Sequence, residues 1–305
     1  MISSSTKTDV LAGCREFLEM IKISHTLFAM PFAIGAAFLA LRGMQVATQE
    51  LAVLLGQIIL AVALARTAAM SFNRWADRHI DAANPRTRDR SIPAGRLAAS
   101  TVLLVSVLCV IGFVAVAASI NPLALKLSPV VLVVILGYSW TKRFTSLCHL
   151  VLGAGLALAP LGAWVAIRGT LLSAADQVDT TPWILAGAVM LWTAGFDILY
   201  GCLDTDFDRE QHLHSIPESL GITAALRLAS LLHAGMGLML LWLWYSAQLG
   251  LLFLCATGIV WLLLFYQHRL VRPDDLGRVN RAFFNLNAII SVILMAAMII
   301  EGWPA

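Results

Sequence analysis

Residues 51–81 read LAVLLGQIILAVALARTAAMSFNRWADRHID, and residues 182–208 read PWILAGAVMLWTAGFDILYGCLDTDFD. Each is an apolar run long enough to cross a bilayer, which takes about 20 residues. Each ends in a polar cluster: Asn73, Asp77 and Asp81 in the first, Asp197, Asp204 and Asp208 in the second. Carboxylates at the end of a membrane segment are costly unless paired or bound to a cation, so they mark a functional site by default. Two such clusters from distant parts of the chain point to one site that gathers divalent metal around a highly anionic ligand.

The rest of the chain agrees with a membrane reading. Of its 305 residues, 59% are hydrophobic and 13% charged, whereas a soluble domain carries about a quarter charged residues. Nine segments are long and apolar enough to span: 24–42, 51–72, 100–120, 123–140, 147–167, 182–202, 223–246, 249–267 and 282–300. In lipid the backbone must satisfy its own hydrogen bonds, so these are expected to be helices. The ten-residue alternating strands of an outer-membrane barrel are absent. The expected fold is therefore all-α, with nine transmembrane helices. Pro122, Lys126 and Pro129 make the start of the fourth the least regular. Residues 1–23 mix Asp9, Glu16 and Glu19 with basic side chains and lack the order of a signal peptide. They read as a cytoplasmic leader before a single membrane domain over 24–301.

Seventeen of the 21 lysines and arginines fall on one side of this arrangement. The positive-inside rule then places the N-terminus and both acidic clusters in the cytoplasm and, with nine helices, the C-terminus outside. The five cysteines (Cys14, Cys109, Cys148, Cys202, Cys255) lie mostly in apolar runs without metal spacing and read as small buried hydrophobes.

Asn73, Asp77 and Asp81 are spaced i, i+4, i+8, which is one face of a helix. Arg66 lies on that face, two turns deeper. Asp204 and Asp208 repeat the spacing, with Asp197 again seven residues deeper. Carboxylate oxygens suit Mg²⁺, which shares itself between one or two carboxylates and substrate phosphates. Arg86, Arg88, Arg90 and Lys142 are placed to neutralise phosphate oxygens. A metal-held diphosphate is a good leaving group. Arg78, Arg88, Asp89 and Glu210 equally read as solvated loop pairs, Asp206 is intermediate, and His79, His212 and His214 read as plain interfacial polar residues. Of the tryptophans, Trp140, Trp164, Trp192, Trp242, Trp244 and Trp261 read as cavity lining or as interfacial anchors.

A faint repeat runs through the chain. Each acidic cluster is followed by Ser-Ile-Pro, at Ser91-Ile92-Pro93 and at Ser215-Ile216-Pro217. This suggests two pseudo-repeated four-helix units plus a ninth helix, with the active ends facing one another across a central cavity.

These motifs resemble the UbiA superfamily of intramembrane prenyltransferases. The N-x-x-x-D-x-x-x-D element is met by Asn73, Asp77 and Asp81, and D-x-x-x-D by Asp204 and Asp208. Y-x-x-x-K is met by Tyr138 and Lys142, in the loop between the clusters, and R-x-I-P-x-G by Arg90 to Gly95. The resemblance covers nearly the whole chain. It implies a central cavity open sideways to lipid and multi-pass residence in the cell inner membrane. It implies that Asn73, Asp77, Asp81, Asp204 and Asp208 hold Mg²⁺ and polyprenyl diphosphate, with Lys142, Arg90 and Lys22 on the diphosphate. Arg66 and Asn73 would orient an acceptor's carboxylate. Asp197 and Tyr138 would position the acceptor or take a proton.

The resemblance is to the 4-hydroxybenzoate polyprenyltransferase branch of quinone biosynthesis. Arg74 follows Asn73 where many ubiquinone-pathway members have Asp. That departure keeps a menaquinone-pathway relative, with 1,4-dihydroxy-6-naphthoate as acceptor, as an alternative. The partners implied are a polyprenyl diphosphate, a hydroxylated aromatic acid and membrane lipid, with no nucleic acid and no obligate protein partner. From another class, a cation-coupled transporter would also carry intramembrane acids. Transporter sites lie near the bilayer midplane on broken helices, whereas these carboxylates sit at helix ends beside basic loops.

Overall fold

The computed structural model describes residues 13, 16–21, 28–172, 177–277, 279 and 285–303. Lys22 and most of the expected leader lie outside the described residues, as do the starts of the first and ninth expected segments.

Helix α1 is Met30–Leu41 and α2 is Thr48–Ala76. Asp77 has left the helical region (φ −93°, ψ 6°) and joins α2 to the short α3, Arg78–Ala83. Then come α4, Ala99–Ile120, α5, Pro122–Thr141, and α6, Cys148–Arg168. Helix α7, Thr180–Gly201, runs through a 3₁₀ turn, Cys202–Asp204, into α8, Thr205–Glu210. Helix α9, Ile216–Leu220, leads into α10, Ile222–Ser246, and α11, Leu251–Leu270, precedes α12, Asn287–Gly302. Regular structure among the described residues is helical, apart from two isolated β-bridges.

Seven helices are long and apolar enough to cross a membrane, with α7 and α8 forming one continuous stretch. The expected first and ninth spans appear as shorter apolar helices, α1 and α12. The protein is a multi-pass membrane protein, and its outward faces suit lipid: Val133, Leu251 and Leu262 are 70–73% exposed.

Local chemistry explains the boundaries. Pro122 opens α5 rather than interrupting it, because a first-turn residue needs no N–H partner. Asn121 caps that end by accepting from the Ala124 amide at 2.8 Å. Gly169, at φ +66°, closes α6. Ser215 caps α9 by accepting from the Glu218 amide.

The core lies between α1, α6, α7, α10, α11 and α12. Helix α7 is its axis: Leu185, Ala188, Val189, Trp192 and Ala194 are fully buried. Helix–helix association in lipid relies on close packing rather than water exclusion, so small residues matter at the contacts. Gly153 shows this: a Cβ there would lie 2.5 Å from the Met190 carbonyl oxygen across the α6–α7 contact. Trp192 is neither cavity lining nor an interfacial anchor. Its Nε1 donates to Asn287 Oδ1 at 3.0 Å, and its ring packs edge-on against Phe196. Trp164 is likewise buried in the core, and none of the six tryptophans lines the cavity described next.

Candidate functional site

The C-terminal ends of α2 and α7 open into one cavity of about 320 Å³. Its wall includes Arg66, Asn73, Asp77, Asp81, Arg90, Tyr138, Lys142, Asp197 and Asp204. These expected site residues come from helices and loops up to 138 positions apart, and the fold brings them together. Asp208 is not in the wall. It is fully buried just behind it, 2.7 Å from Lys142 Nζ, and accepts from Ser215 Oγ at 2.9 Å.

The first motif does not lie on one unbroken helix. The break at Asp77 separates Asn73 on α2 from Asp81 on α3. The i to i+4 backbone bonds nevertheless persist, from Asp77 N to Asn73 O at 2.9 Å and from Asp81 N to Asp77 O at 2.7 Å. The side chains therefore stay stacked, and Asn73 Nδ2 donates to Asp77 Oδ2 at 2.8 Å. Tyr138 is also not in a loop: it sits in the last turn of α5, and Lys142 is that helix's C-terminal cap.

Each motif carboxylate is held by a basic side chain. Arg90 Nη1 reaches Asp81 Oδ1 at 2.7 Å, and Arg143 Nη2 reaches Asp77 Oδ1 at 3.2 Å. Arg86 forks both oxygens of Asp204, and the Asn84 amide adds a bond to Oδ1 at 3.1 Å. These contacts tie the loop after the first motif onto the second motif. The Ser-Ile-Pro elements serve different partners. Ser215 bonds Asp208, whereas Ser91 donates to Glu16 Oε1 at 2.6 Å and helps dock the N-terminal segment.

Burial shapes the charges outside the spans. Desolvation holds the Asp77 carboxyl above its ordinary value, opposed by hydrogen bonding to Arg143 and reinforced by the Asp81 charge. Burial alone would lower Arg86, but its hydrogen bonds and ion pair with Asp204 raise it. Arg74, beside Asn73, is buried in the wall and gives the cavity a second deep guanidinium besides Arg66.

Asn84, Arg143, His149 and Tyr200 also line the cavity and were not singled out from the sequence. His149 Nδ1 is 2.7 Å from Asp197 Oδ2, and Arg86 Nη1 donates to the Tyr200 hydroxyl at 2.8 Å. Their sequence signal is weak because each partner is at least 48 positions away. The solvated-loop reading holds for Arg88, Asp89 and Glu210, which are exposed away from the cavity. Asp206 joins them, with its side chain 94% exposed. His79, His212 and His214 are exposed and outside the wall.

The donor set fits a hard divalent ion. Asp81 Oδ2 is buried and finds no hydrogen-bond partner among the described residues, leaving an acceptor that a cation would satisfy. Among the described residues no three acidic, histidine or cysteine side chains close into a metal cage. That suits an ion that takes one or two carboxylates and completes its shell with phosphate oxygens and water.

The chain belongs to the UbiA prenyltransferase family, whose profile matches residues 29–289. It is similar to the 4-hydroxybenzoate octaprenyltransferase of Chromohalobacter salexigens, 28% identical over 298 residues, covering 96% of this chain and 95% of that one. It is also similar to the 4-hydroxybenzoate solanesyltransferase of Synechocystis sp., 31% identical over 82% of this chain and 83% of the relative. Among solved structures it resembles the apo UbiA homolog from Aeropyrum pernix K1, with TM-score 0.79, 32% identity, and coverage of 91% and 98%. A UbiA homolog from Archaeoglobus fulgidus bound to GPP and Mg²⁺ shares the fold at TM-score 0.71 and 16% identity, covering 94% of this chain and 99% of that one. The protein is therefore a membrane-embedded prenyltransferase.

Proposed function

We propose that this family member transfers a polyprenyl group from polyprenyl diphosphate to the ring of a hydroxylated aromatic acid, with 4-hydroxybenzoate as the leading acceptor and Mg²⁺ as the cofactor. One observation carries the reading: three motif aspartates, their basic partners and Arg66 line a single cavity, with Asp208 against Lys142 just behind it. The names of the relatives support the acceptor class, and the orphaned Asp81 oxygen supports the metal.

Asp77, Asp81, Asp204 and Asp208, with Asn73, would hold Mg²⁺, which when bound supplies positive charge to the leaving diphosphate. Arg90 and Lys142, and Lys22 from the N-terminal segment, bind phosphate oxygens. Arg90 and Lys142 now hold Asp81 and Asp208, so they exchange carboxylate for phosphate as substrate enters. Arg66 and Asn73 orient the acceptor's carboxylate. The prenyl carbon–oxygen bond breaks with its electron pair leaving on diphosphate. The ring attacks the allylic cation, and Asp197 takes the ring proton while the Tyr138 hydroxyl positions the acceptor. The charge asymmetry of the loops supports a cytoplasmic site and N-terminus, with the C-terminus outside, for a protein we assign to the inner membrane. We also read the domain as two pseudo-repeated four-helix units and one further helix.

An acceptor competition tests the proposal. Membranes containing the protein receive one polyprenyl diphosphate, Mg²⁺, 4-hydroxybenzoate and 1,4-dihydroxy-6-naphthoate, and products are identified by mass. A prenylated benzoate is expected. A prenylated naphthoate would move the chain to the alternative acceptor, and prenylation of neither would reject both.

A further inference from the structure

The cavity wall holds a titratable side chain to which the steps above give no role. His149 is 4% exposed and sits in the first turn of α6. Its Nδ1 lies 2.7 Å from Asp197 Oδ2, and its Nε2 receives the Ile216 backbone N–H at 3.4 Å. A backbone amide only donates, so Nε2 carries no proton. The imidazole proton is then on Nδ1 and is donated to Asp197.

The partner of Asp197 is unlike those of the other cavity acids. Asp77, Asp81 and Asp204 each face a guanidinium, from Arg143, Arg90 and Arg86. The His149 Nδ1–H instead fixes the orientation of Asp197 through a single hydrogen bond. The Asp197 side chain also keeps 26% of its surface open, and it lines the cavity. Gly201 gives the imidazole its place, since a Cβ there would lie 3.0 Å from His149 Cε1.

We propose that His149 is a positioning residue whose Nδ1–H holds Asp197 turned to the cavity, ready to take the ring proton after prenyl transfer. This rests on the assignment of Asp197 above. In that step the ring C–H bond breaks, its electron pair returns to the ring, and the proton passes to Asp197 and then to solvent.

A merely structural role makes a different prediction. His149 holds the Ile216 amide, beside the Ser215 that bonds Asp208. Loosening that segment would weaken metal–diphosphate binding rather than slow turnover. The test measures kcat, acceptor KM, and calorimetric Kd for inorganic diphosphate with Mg²⁺, in purified wild type, His149→Leu, His149→Gln, Asp197→Asn and the double variant His149→Leu/Asp197→Asn. His149→Leu should lower kcat roughly 10- to 100-fold and leave Kd within about twofold. His149→Gln should recover most of the rate, because its amide can accept from Ile216 and donate to Asp197. The double variant should be no slower than Asp197→Asn alone. Gly201→Ala, which presses on the ring, should give the same kcat loss should the leucine variant fail to fold. A His149→Leu enzyme with wild-type kcat beside a slow Asp197→Asn would overturn the role of His149 alone. Weakened Kd with unchanged kcat would make His149 structural. A wild-type Asp197→Asn would sink the assignment of Asp197 itself.

Discussion

Asp77 couples function to stability through its environment. Burial raises its carboxyl above the ordinary value of 3.8. A folded-state value above the unfolded one means that ionising the group costs folding free energy, and that cost appears as pH rises through the folded value. Asp77→Asn should therefore raise the melting temperature of metal-free protein by about 1–3 °C at neutral pH, a gain that fades below the ordinary carboxylate range. Turnover should fall about 100-fold or more, since the variant removes a charge that holds the metal. Arg143 opposes the rise, so in Arg143→Ala the loss of Mg²⁺–diphosphate affinity on acidification should begin at higher pH than in wild type. Calorimetry between about pH 4 and 8 would show the order of the two curves. Arg66 makes a separable contribution. Arg66→Ala should raise acceptor KM about tenfold or more while diphosphate KM stays nearly constant, and equal effects on both would argue against a carboxylate anchor. The motif residues were legible because their spacing is local. Their partners were not, because Arg86–Asp204 and His149–Asp197 join positions 118 and 48 apart.

At the scale of elements, the α6–α7 contact depends on Gly153. A valine there would meet the Met190 carbonyl oxygen and force apart the helices that carry His149 and Asp197. Gly153→Val should lower thermal stability, read by detergent-solubilised melting, with kcat falling as the pair separates. Helix identity was readable throughout, since apolar length alone specifies it in lipid. Boundaries were less so. Pro122 looked like an interruption because composition does not reveal that Asn121 would cap the helix in front of it. The break at Asp77 was equally hidden, because the i, i+4 spacing survives a kink that keeps those backbone bonds.

For the whole molecule, two distant helix ends and the loop between them close one cavity, and the basic side chains keep its acids paired. Among the described residues seven spans are long, and the two remaining apolar helices, α1 with 12 residues and α12 with 16, follow segment starts that lie outside the described residues. Helix α1 packs into the protein core, with Phe32, Ala33, Ala36 and Ala37 fully covered. The architecture makes metal and diphosphate interdependent, since each screens charges that would oppose the other. Removing Mg²⁺ with chelator should therefore weaken diphosphate binding and stop turnover together, and adding Mg²⁺ back should restore both. The most direct test is product formation from polyprenyl diphosphate and 4-hydroxybenzoate by purified protein, with and without Mg²⁺, in wild type and Asp204→Asn. Prenylated acid should form only in wild type with metal present. Equal product without metal, or from Asp204→Asn, would contradict a metal-dependent prenyl transfer at this cavity.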